Sequence, residues 1–169
     1  MIEILKDSVD KVLVGGAMAF TFFKVKGLDV GNSLLDTEML EVAEHIRKSA
    51  RDKGIKFYLP VDFVVAENMN SGAQAIIVTS QEIPTGWTGL DIGTATVRLY
   101  TEAIQDAKTI MWNRPLGLFE KDAYSRGTFA IAHAVAGAYA TTIAGGGASL
   151  ELLEGKELPG LAALPDAGN

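Results

Sequence analysis

The chain has 169 residues, no cysteine and a formal net charge of −6. Its length suits one domain with a full hydrophobic core, and its composition is typical of a soluble globular protein. The missing cysteines exclude disulfides, thiol catalysis and cysteine-based zinc sites, and they favour a cytoplasmic location. The negative charge argues against nucleic acid as a main partner, although a small anion held by backbone amides is not excluded. No apolar run is long enough to span a bilayer, and the first residues lack the pattern of a secretory signal.

Apolar spacing and turn residues predict helices alternating with strands through the first half of the chain. The predicted elements are the tail of a helix at residues 2–10, a strand at 11–14, a buried helix at 18–25, an amphipathic helix at 36–53 with Asp36 as its N-cap, and a strand at 56–59. Two extended runs follow at 62–66 and 75–78, with a turn at 68–72 between them. The second run is predicted to be a small antiparallel addition at the sheet edge.

The second half continues the alternation. Residues 83–93 contain three glycines and one proline and are predicted to form a loop. The elements predicted after it are a helix at 94–106 capped by Thr94, a strand at 109–112, a helix at 122–139 with Phe129 inward, a strand at 141–144 and a helix at 149–154. This order predicts the α/β class, with a mainly parallel sheet in a single domain over residues 1–169.

Three predicted strands end in loops rich in glycine or proline, at residues 15–17, 113–117 and 145–147. Ligands of open α/β sheets lie at such carboxyl ends, so the three loops together predict a site. The run Gly145, Gly146 and Gly147 suits a phosphate bound by backbone amides, and it equally suits a plain turn before a helix. Gly15 and Gly16 either present flat backbone to a planar ring or permit close packing of helix and strand.

Charged residues beside these loops also have two interpretations. Glu120 and Asp91 each either accept a ribose hydroxyl or interact with a helix start, and for Glu120 the residues alone favour the helix. Arg114 either binds phosphate or fills the space where a ligand would lie. No group of side chains has the spacing of metal ligands.

Five segments resemble the carboxyl-terminal, nucleotide-binding half of phosphoglycerate kinase. They are VGGAMAFTF at residues 14–22, LPVD at 59–62, IPTGWTGLDIG at 83–93, WNRPLGLFE at 112–120 and GGGASLELLEG at 145–155. The resemblance implies a three-layer, Rossmann-like α/β domain. It also implies reversible phosphoryl transfer between ATP and 3-phosphoglycerate, with ATP or ADP bound together with Mg²⁺.

The resemblance also assigns residues to the nucleotide. The adenine pocket would be lined by Gly15, Gly16, Gly89 and Leu90, with Leu34 and Met69 as further walls, and the nucleotide would run along Asn113, Pro115 and the glycines at 145–147. Glu120 would bind the ribose, which reverses the preference drawn from the residues alone.

The chain departs from the family in several places. The family's amino-terminal domain, which holds 3-phosphoglycerate, and two lysines before the first helix have no match here. The strand at 141–144 runs straight into the second of two expected glycine turns, so a helix, a strand and a phosphate-placing aspartate are missing. Ala17 and Arg114 each replace a glycine.

These departures predict a nucleotide-binding domain that is inactive alone, and they allow for a separate chain that carries the amino-terminal domain. The alternative is a scaffold or interaction module that binds no nucleotide. A homodimer could cover a sheet edge that the missing strand exposes.

Overall fold

The computed structural model describes residues 9–69 and 74–144. Its elements are β1 (Lys11–Leu13), α1 (Ala17–Val25), α2 (Leu40–Asp52), β2 (Lys56–Tyr58), β3 (Asp62–Ala66), β4 (Ala75–Thr79), β5 (Thr88–Ile92), α3 (Thr94–Ile104), β6 (Thr109–Trp112), a 3-10 turn (Asp122–Tyr124), α4 (Arg126–Gly137) and β7 (Thr141–Ala144). The predicted helix at 149–154 lies outside the described residues, as do most of the helix tail at 2–10 and of the turn at 68–72.

The parallel strand pair of β1 and β2 lies between two layers of helices, and a second parallel pair contributes Ile110 and Trp112 to the core of α3 and α4. β1 pairs with β2, and β6 pairs with β7, both in parallel register. Successive side chains of a strand point to opposite faces. Val12 and Phe57 accordingly pack in the core of α1 and α2, whereas Leu13 and Tyr58 pack in the core of α3 and α4. The predicted α/β class with three layers and parallel pairing is confirmed.

A separate, antiparallel sheet has the strand order β4-β3-β5. β3 is its buried centre, since Phe63 and Val65 are almost fully enclosed. The predicted antiparallel addition is therefore confirmed, but the loop prediction for residues 83–93 was wrong over Thr88–Ile92, which forms β5. Gly89 explains the difference: a Cβ there would lie 2.3 Å from Cζ of Phe20, so this glycine permits close packing rather than a turn.

Two helix starts differ from the prediction, since neither predicted residue caps its helix. Asp36 accepts a hydrogen bond from the Glu38 amide at 3.1 Å in a turn, and α2 begins only at Leu40. Thr94 does not cap α3. Instead, the Asp62 carboxylate of β3 accepts hydrogen bonds from the second and third amides of α3, at 2.9 and 2.8 Å. A distant strand therefore supplies the cap that the local sequence was expected to supply.

The predicted helix at 122–139 is divided at Ser125 into the 3-10 turn and α4. The Gly127 amide, which a continuous helix would bond to the carbonyl four residues earlier, instead donates to the Asp91 carboxylate at 2.7 Å. Phe129 is 53% exposed, so its inward prediction was wrong, while Ile131 and Val135 form the buried face. Within the described ranges, no helix combines the length and apolarity that a membrane crossing requires.

Candidate functional site

The loop after β6, residues 113–120, is the centre of the candidate site. The Gly16 amide donates a hydrogen bond to the Leu116 carbonyl at 3.1 Å, and the Leu118 amide donates to the Leu90 carbonyl at 2.8 Å. The loop is thus bonded both to the corner between β1 and α1 and to β5. These two bonds bring together three segments that are far apart in the sequence.

The corner between β1 and α1 contains Gly15 and Gly16. Gly16 has a φ of 60°, a conformation that favours glycine, and it directly precedes α1. A Cβ on Gly15 would lie 2.2 Å from Cδ2 of Leu116, so the corner packs closely against the loop. A ligand of this corner would therefore approach from the side of the backbone opposite Leu116.

β5 contributes Gly89 and Leu90. The Gly89 amide donates to Oγ of Ser33 at 2.9 Å, which holds the neighbouring Leu34 beside the strand. Leu34 is 71% exposed, so its apolar side chain is available at the surface. Leu90 is buried in a small cluster with Tyr124, against which Leu118 of the loop packs, and its backbone carbonyl accepts from the Leu118 amide.

The remaining predicted residues lie along the loop and at its end. Pro115 and Glu120 are exposed. The Lys121 ammonium donates to the Met69 carbonyl, which puts the half-exposed Met69 next to the residue after Glu120. Within the described part of the chain, Oδ1 of Asn113 is buried and has no hydrogen-bond partner. An orphaned buried oxygen is unusual and is a place where a ligand or a water molecule can bind.

The glycine turn predicted as a phosphate site, Gly145, Gly146 and Gly147, lies outside the described residues. The structure therefore brings the predicted residues of the β1–α1 corner, β5 and the loop into one region and leaves this turn untested.

α4 supplies a side chain that sequence reasoning missed. The Thr128 hydroxyl, which is buried, accepts hydrogen bonds from the Leu116 amide at 3.1 Å and the Gly117 amide at 3.2 Å. A threonine in a first helical turn gives no local signal of a tertiary contact, so only the fold reveals this role.

Asp91 was left open between a ribose acceptor and a helix partner, and the structure gives it the second role. It is 3% exposed, and its two oxygens accept from the Gly127 amide and from the Ile92 amide at 2.9 Å. Burial raises the pKa of Asp91 to about 6, although both N–H bonds act to lower it.

Tyr100 of α3 donates to backbone carbonyls at the ends of β1 and β2. Its hydroxyl lies 2.5 Å from the Val14 carbonyl and 3.3 Å from the Tyr58 carbonyl, where β1 and β2 end. Burial raises the pKa of Tyr100 far above its usual value, so the phenol stays protonated and donates.

Among the described residues, no cluster of three or more acidic or histidine side chains could hold a metal ion. An apolar cavity of about 50 Å³ lies between β1, α1 and α2, lined by residues such as Val12, Phe22 and Ile46. It contains none of the predicted site residues and is too apolar for a phosphate.

Comparison with known proteins identifies the family. The family model described as phosphoglycerate kinase matches residues 1–159. The phosphoglycerate kinase of Geotalea uraniireducens (strain Rf4) is 51% identical over all of this chain and 48% of its own length. That of Geobacter metallireducens is 50% identical over 99% of this chain and 48% of its own length.

Solved structures agree. The phosphoglycerate kinase from Coxiella burnetii has a TM-score of 0.87 at 35% identity, over 95% of this chain and 47% of that one. The enzyme from Pyrococcus horikoshii OT3 has a TM-score of 0.69 at 27% identity, over 92% and 45% of the two chains.

The chain spans about half the length of the curated relatives it matches. The alignment with the Geotalea protein has 192 positions and covers all 169 residues here, so at least 23 positions of that protein have no counterpart in this chain. This difference agrees with the internal shortening expected from the motifs. With relatives half identical to it and a family model that covers nearly all of its residues, the chain belongs to the phosphoglycerate kinase family.

Proposed function

We propose that this chain is the adenine-nucleotide-binding half of a phosphoglycerate kinase, with residues 1–169 forming one nucleotide-binding domain. The observation that carries the proposal is the bonding of loop 113–120 to both the β1–α1 corner and β5. That bonding brings together three segments, the corner, β5 and the loop, in which the family resemblance assigns residues to the nucleotide. In the complete protein, the reaction would be reversible phosphoryl transfer between ATP and 3-phosphoglycerate.

Three features of the described residues fit a nucleotide. Glu120 is an exposed carboxylate that can accept hydrogen bonds from ribose hydroxyls. Leu34, which follows the Ser33 bonded to β5, and Met69, whose carbonyl accepts from Lys121, are exposed apolar side chains of the kind that cover a base. The orphaned Asn113 oxygen offers a further polar contact along the loop.

The protein's own contribution to such chemistry is to bind and orient the nucleotide. Phosphoryl transfer depends mostly on positioning and charge neutralisation, and Mg²⁺ would supply part of that neutralisation when it accompanies the phosphates. Tested alone, these 169 residues should bind nucleotide weakly without turnover, because they correspond to about half of the curated relatives. An amino-terminal domain in a separate chain would then complete the enzyme.

A cytoplasmic location remains a prediction.

Calorimetric titration with ADP and Mg²⁺ tests the proposal. Saturable heat is expected, and Glu120→Gln should weaken binding about tenfold, the value of roughly one charged hydrogen bond. Glu44→Gln is the matched control, since Glu44 is an exposed residue of α2 and loses the same charge. A flat titration with folded protein would refute nucleotide binding.

A second candidate, a scaffold that binds no nucleotide, is favoured by one observation. Leu116 covers one side of Gly15, and Phe20 covers one side of Gly89, so this chain's own side chains pack against two of the three glycines assigned to the base. Arg114 adds an exposed cation to the same loop.

Two substitutions of Arg114 distinguish these candidates. If affinity for ADP appears only in Arg114→Gly, the side chain blocks the site. If Arg114→Gln weakens the binding of ADP but not the binding of adenosine, the guanidinium binds phosphate. Arg47→Gln, on the exposed face of α2, controls for the loss of charge.

Self-association is a separate proposal. In the described residues, β1 pairs only with β2 and β6 only with β7, so each pair has edges without a strand partner. Unpaired edges favour association with a second copy. A monomeric mass at high protein concentration would contradict it.

A further inference from the structure

The start of α4 lies directly under loop 113–120. Asp91, on β5, is buried and accepts the Gly127 amide through Oδ2 at 2.7 Å and the Ile92 amide through Oδ1 at 2.9 Å. The first bond fixes the first turn of α4 to β5. Because α4 has twelve residues, its positive end also favours the buried carboxylate.

The backbone of loop 113–120 contacts both the Asp91 carboxylate and the first turn of α4. A Cβ on Gly117 would lie 2.3 Å from Oδ1 of Asp91, so the loop passes in direct contact with the carboxylate. One residue along α4 from the amide that Asp91 binds, the Thr128 hydroxyl accepts hydrogen bonds from the consecutive amides of Leu116 and Gly117. Asp91 therefore places the helix end, and Thr128 transmits that position to the loop.

We propose that Asp91 and Thr128 are positioning residues for the nucleotide. Together they hold the backbone of loop 113–120 in the position from which Asn113, Pro115 and Glu120 can contact a ligand. The inference deepens the proposed function and rests on it. Neither side chain touches the ligand. Both act through the amides of Leu116, Gly117 and Gly127.

A structural cost supports this role. Asp91 is a carboxylate enclosed without a cation among its interactions, and burial raises its pKa. A group held at such a cost is expected where it fixes a particular geometry rather than where it adds stability. The close approach of Gly117 to the carboxylate depends on the same geometry, since a Cβ on Gly117 would collide with Asp91.

Thr128→Val is the main test because valine keeps the shape of threonine and removes the acceptor for both loop amides. Thr96→Val is a matched control. The Thr96 hydroxyl is also buried and accepts hydrogen bonds from two consecutive amides, those of Val61 and Asp62 at 3.0 and 3.1 Å, but it lies at the start of α3. Thr128→Ser keeps the hydroxyl and is the rescue variant.

Two readouts are measured on the full chain: amide hydrogen exchange across residues 113–120, and ADP affinity with Mg²⁺. Thr128→Val should speed hydrogen exchange of the Leu116 and Gly117 amides. It should also weaken the affinity for ADP about tenfold, which corresponds to roughly one lost hydrogen bond. Thr128→Ser should stay close to the native protein in both. Thr96→Val should lower global stability yet leave loop exchange and affinity nearly unchanged.

Equal effects of Thr96→Val and Thr128→Val on the loop would overturn the proposal, because the hydroxyl would then serve general stability. Unchanged exchange in Thr128→Val would also overturn it. If Thr128→Val does not fold, Asp91→Asn decides by the same two readouts. If the native chain binds no ADP, the proposed function fails. Hydrogen exchange of the loop amides then still supports or overturns the role of Asp91 and Thr128 in holding loop 113–120.

Discussion

Replacing Asp91 with asparagine should change how the stability of the protein depends on pH. Burial raises the pKa of Asp91 from 3.8 to about 6 in the folded state. The folded protein therefore binds this proton more tightly than the unfolded chain, so the stability linked to Asp91 is fully present below about pH 4 and is lost as the pH rises through about 6. A shift of about two units corresponds to roughly 3 kcal/mol.

Asparagine removes this titration. It keeps one acceptor and gains a donor, so it can satisfy only one of the Gly127 and Ile92 amides. That defect lowers stability by an amount that does not depend on pH. The causes of the Asp91 shift include no ionisable side chain, so the titrations of other groups should be alike in both proteins.

Urea unfolding of both proteins from about pH 4 to pH 7.5 measures the effect. The unfolding free energy of the native protein, minus that of Asp91→Asn, should fall by roughly 2–3 kcal/mol across this range, most steeply near about pH 5, where the folded carboxyl is still protonated and the unfolded one is ionised. A constant difference at every pH would refute the reasoning, and it would mean that the two N–H bonds and the end of α4 offset burial completely.

Three further substitutions test the packing around the site. Gly15→Ala should destabilise the fold by roughly 1–3 kcal/mol because its Cβ collides with Leu116; urea unfolding measures this, and a neutral result would mean that the loop moves freely. Asp62→Ala should lower stability by roughly 2 kcal/mol through loss of the α3 cap, seen as a lower thermal midpoint that Asp52→Ala, at an exposed helix end, does not share. Tyr100→Phe leaves a buried strand-end carbonyl without its hydroxyl donor and should lower stability by roughly 1–2 kcal/mol; an unchanged denaturation midpoint would contradict the role given to that hydroxyl.

The fold could be predicted where local pattern and tertiary environment agree. β3 and β6 lie where the apolar runs predicted them, because a short apolar run between turn residues has few other solutions. β5 was missed since its glycine was taken as a turn residue. Gly89 is in a strand because Phe20 needs the space, and that contact is 69 residues away in the sequence.

The candidate site, like the fold, could be predicted from the sequence only in part. Its loop was predictable from the residues, because a strand that runs into Asn113, Pro115 and Gly117 must end there. What holds the loop was not predictable. The Thr128 hydroxyl and the Asp91 carboxylate act across the tertiary structure, and the break before α4 exists because Asp91 takes the Gly127 amide.

The contact between Asp62 and Gly93 limits the order in which this sequence can change. A Cβ on Gly93 would lie 2.3 Å from Cγ of Asp62, although the backbone of Gly93, with a φ of −83°, would accept other residues. Gly93 can therefore gain a side chain only after the carboxylate has been lost, and that first step removes the cap of α3. The two positions should show strong epistasis, with a double-mutant cycle far from additive. Libraries selected for folding should recover changes at these positions as pairs, rarely singly.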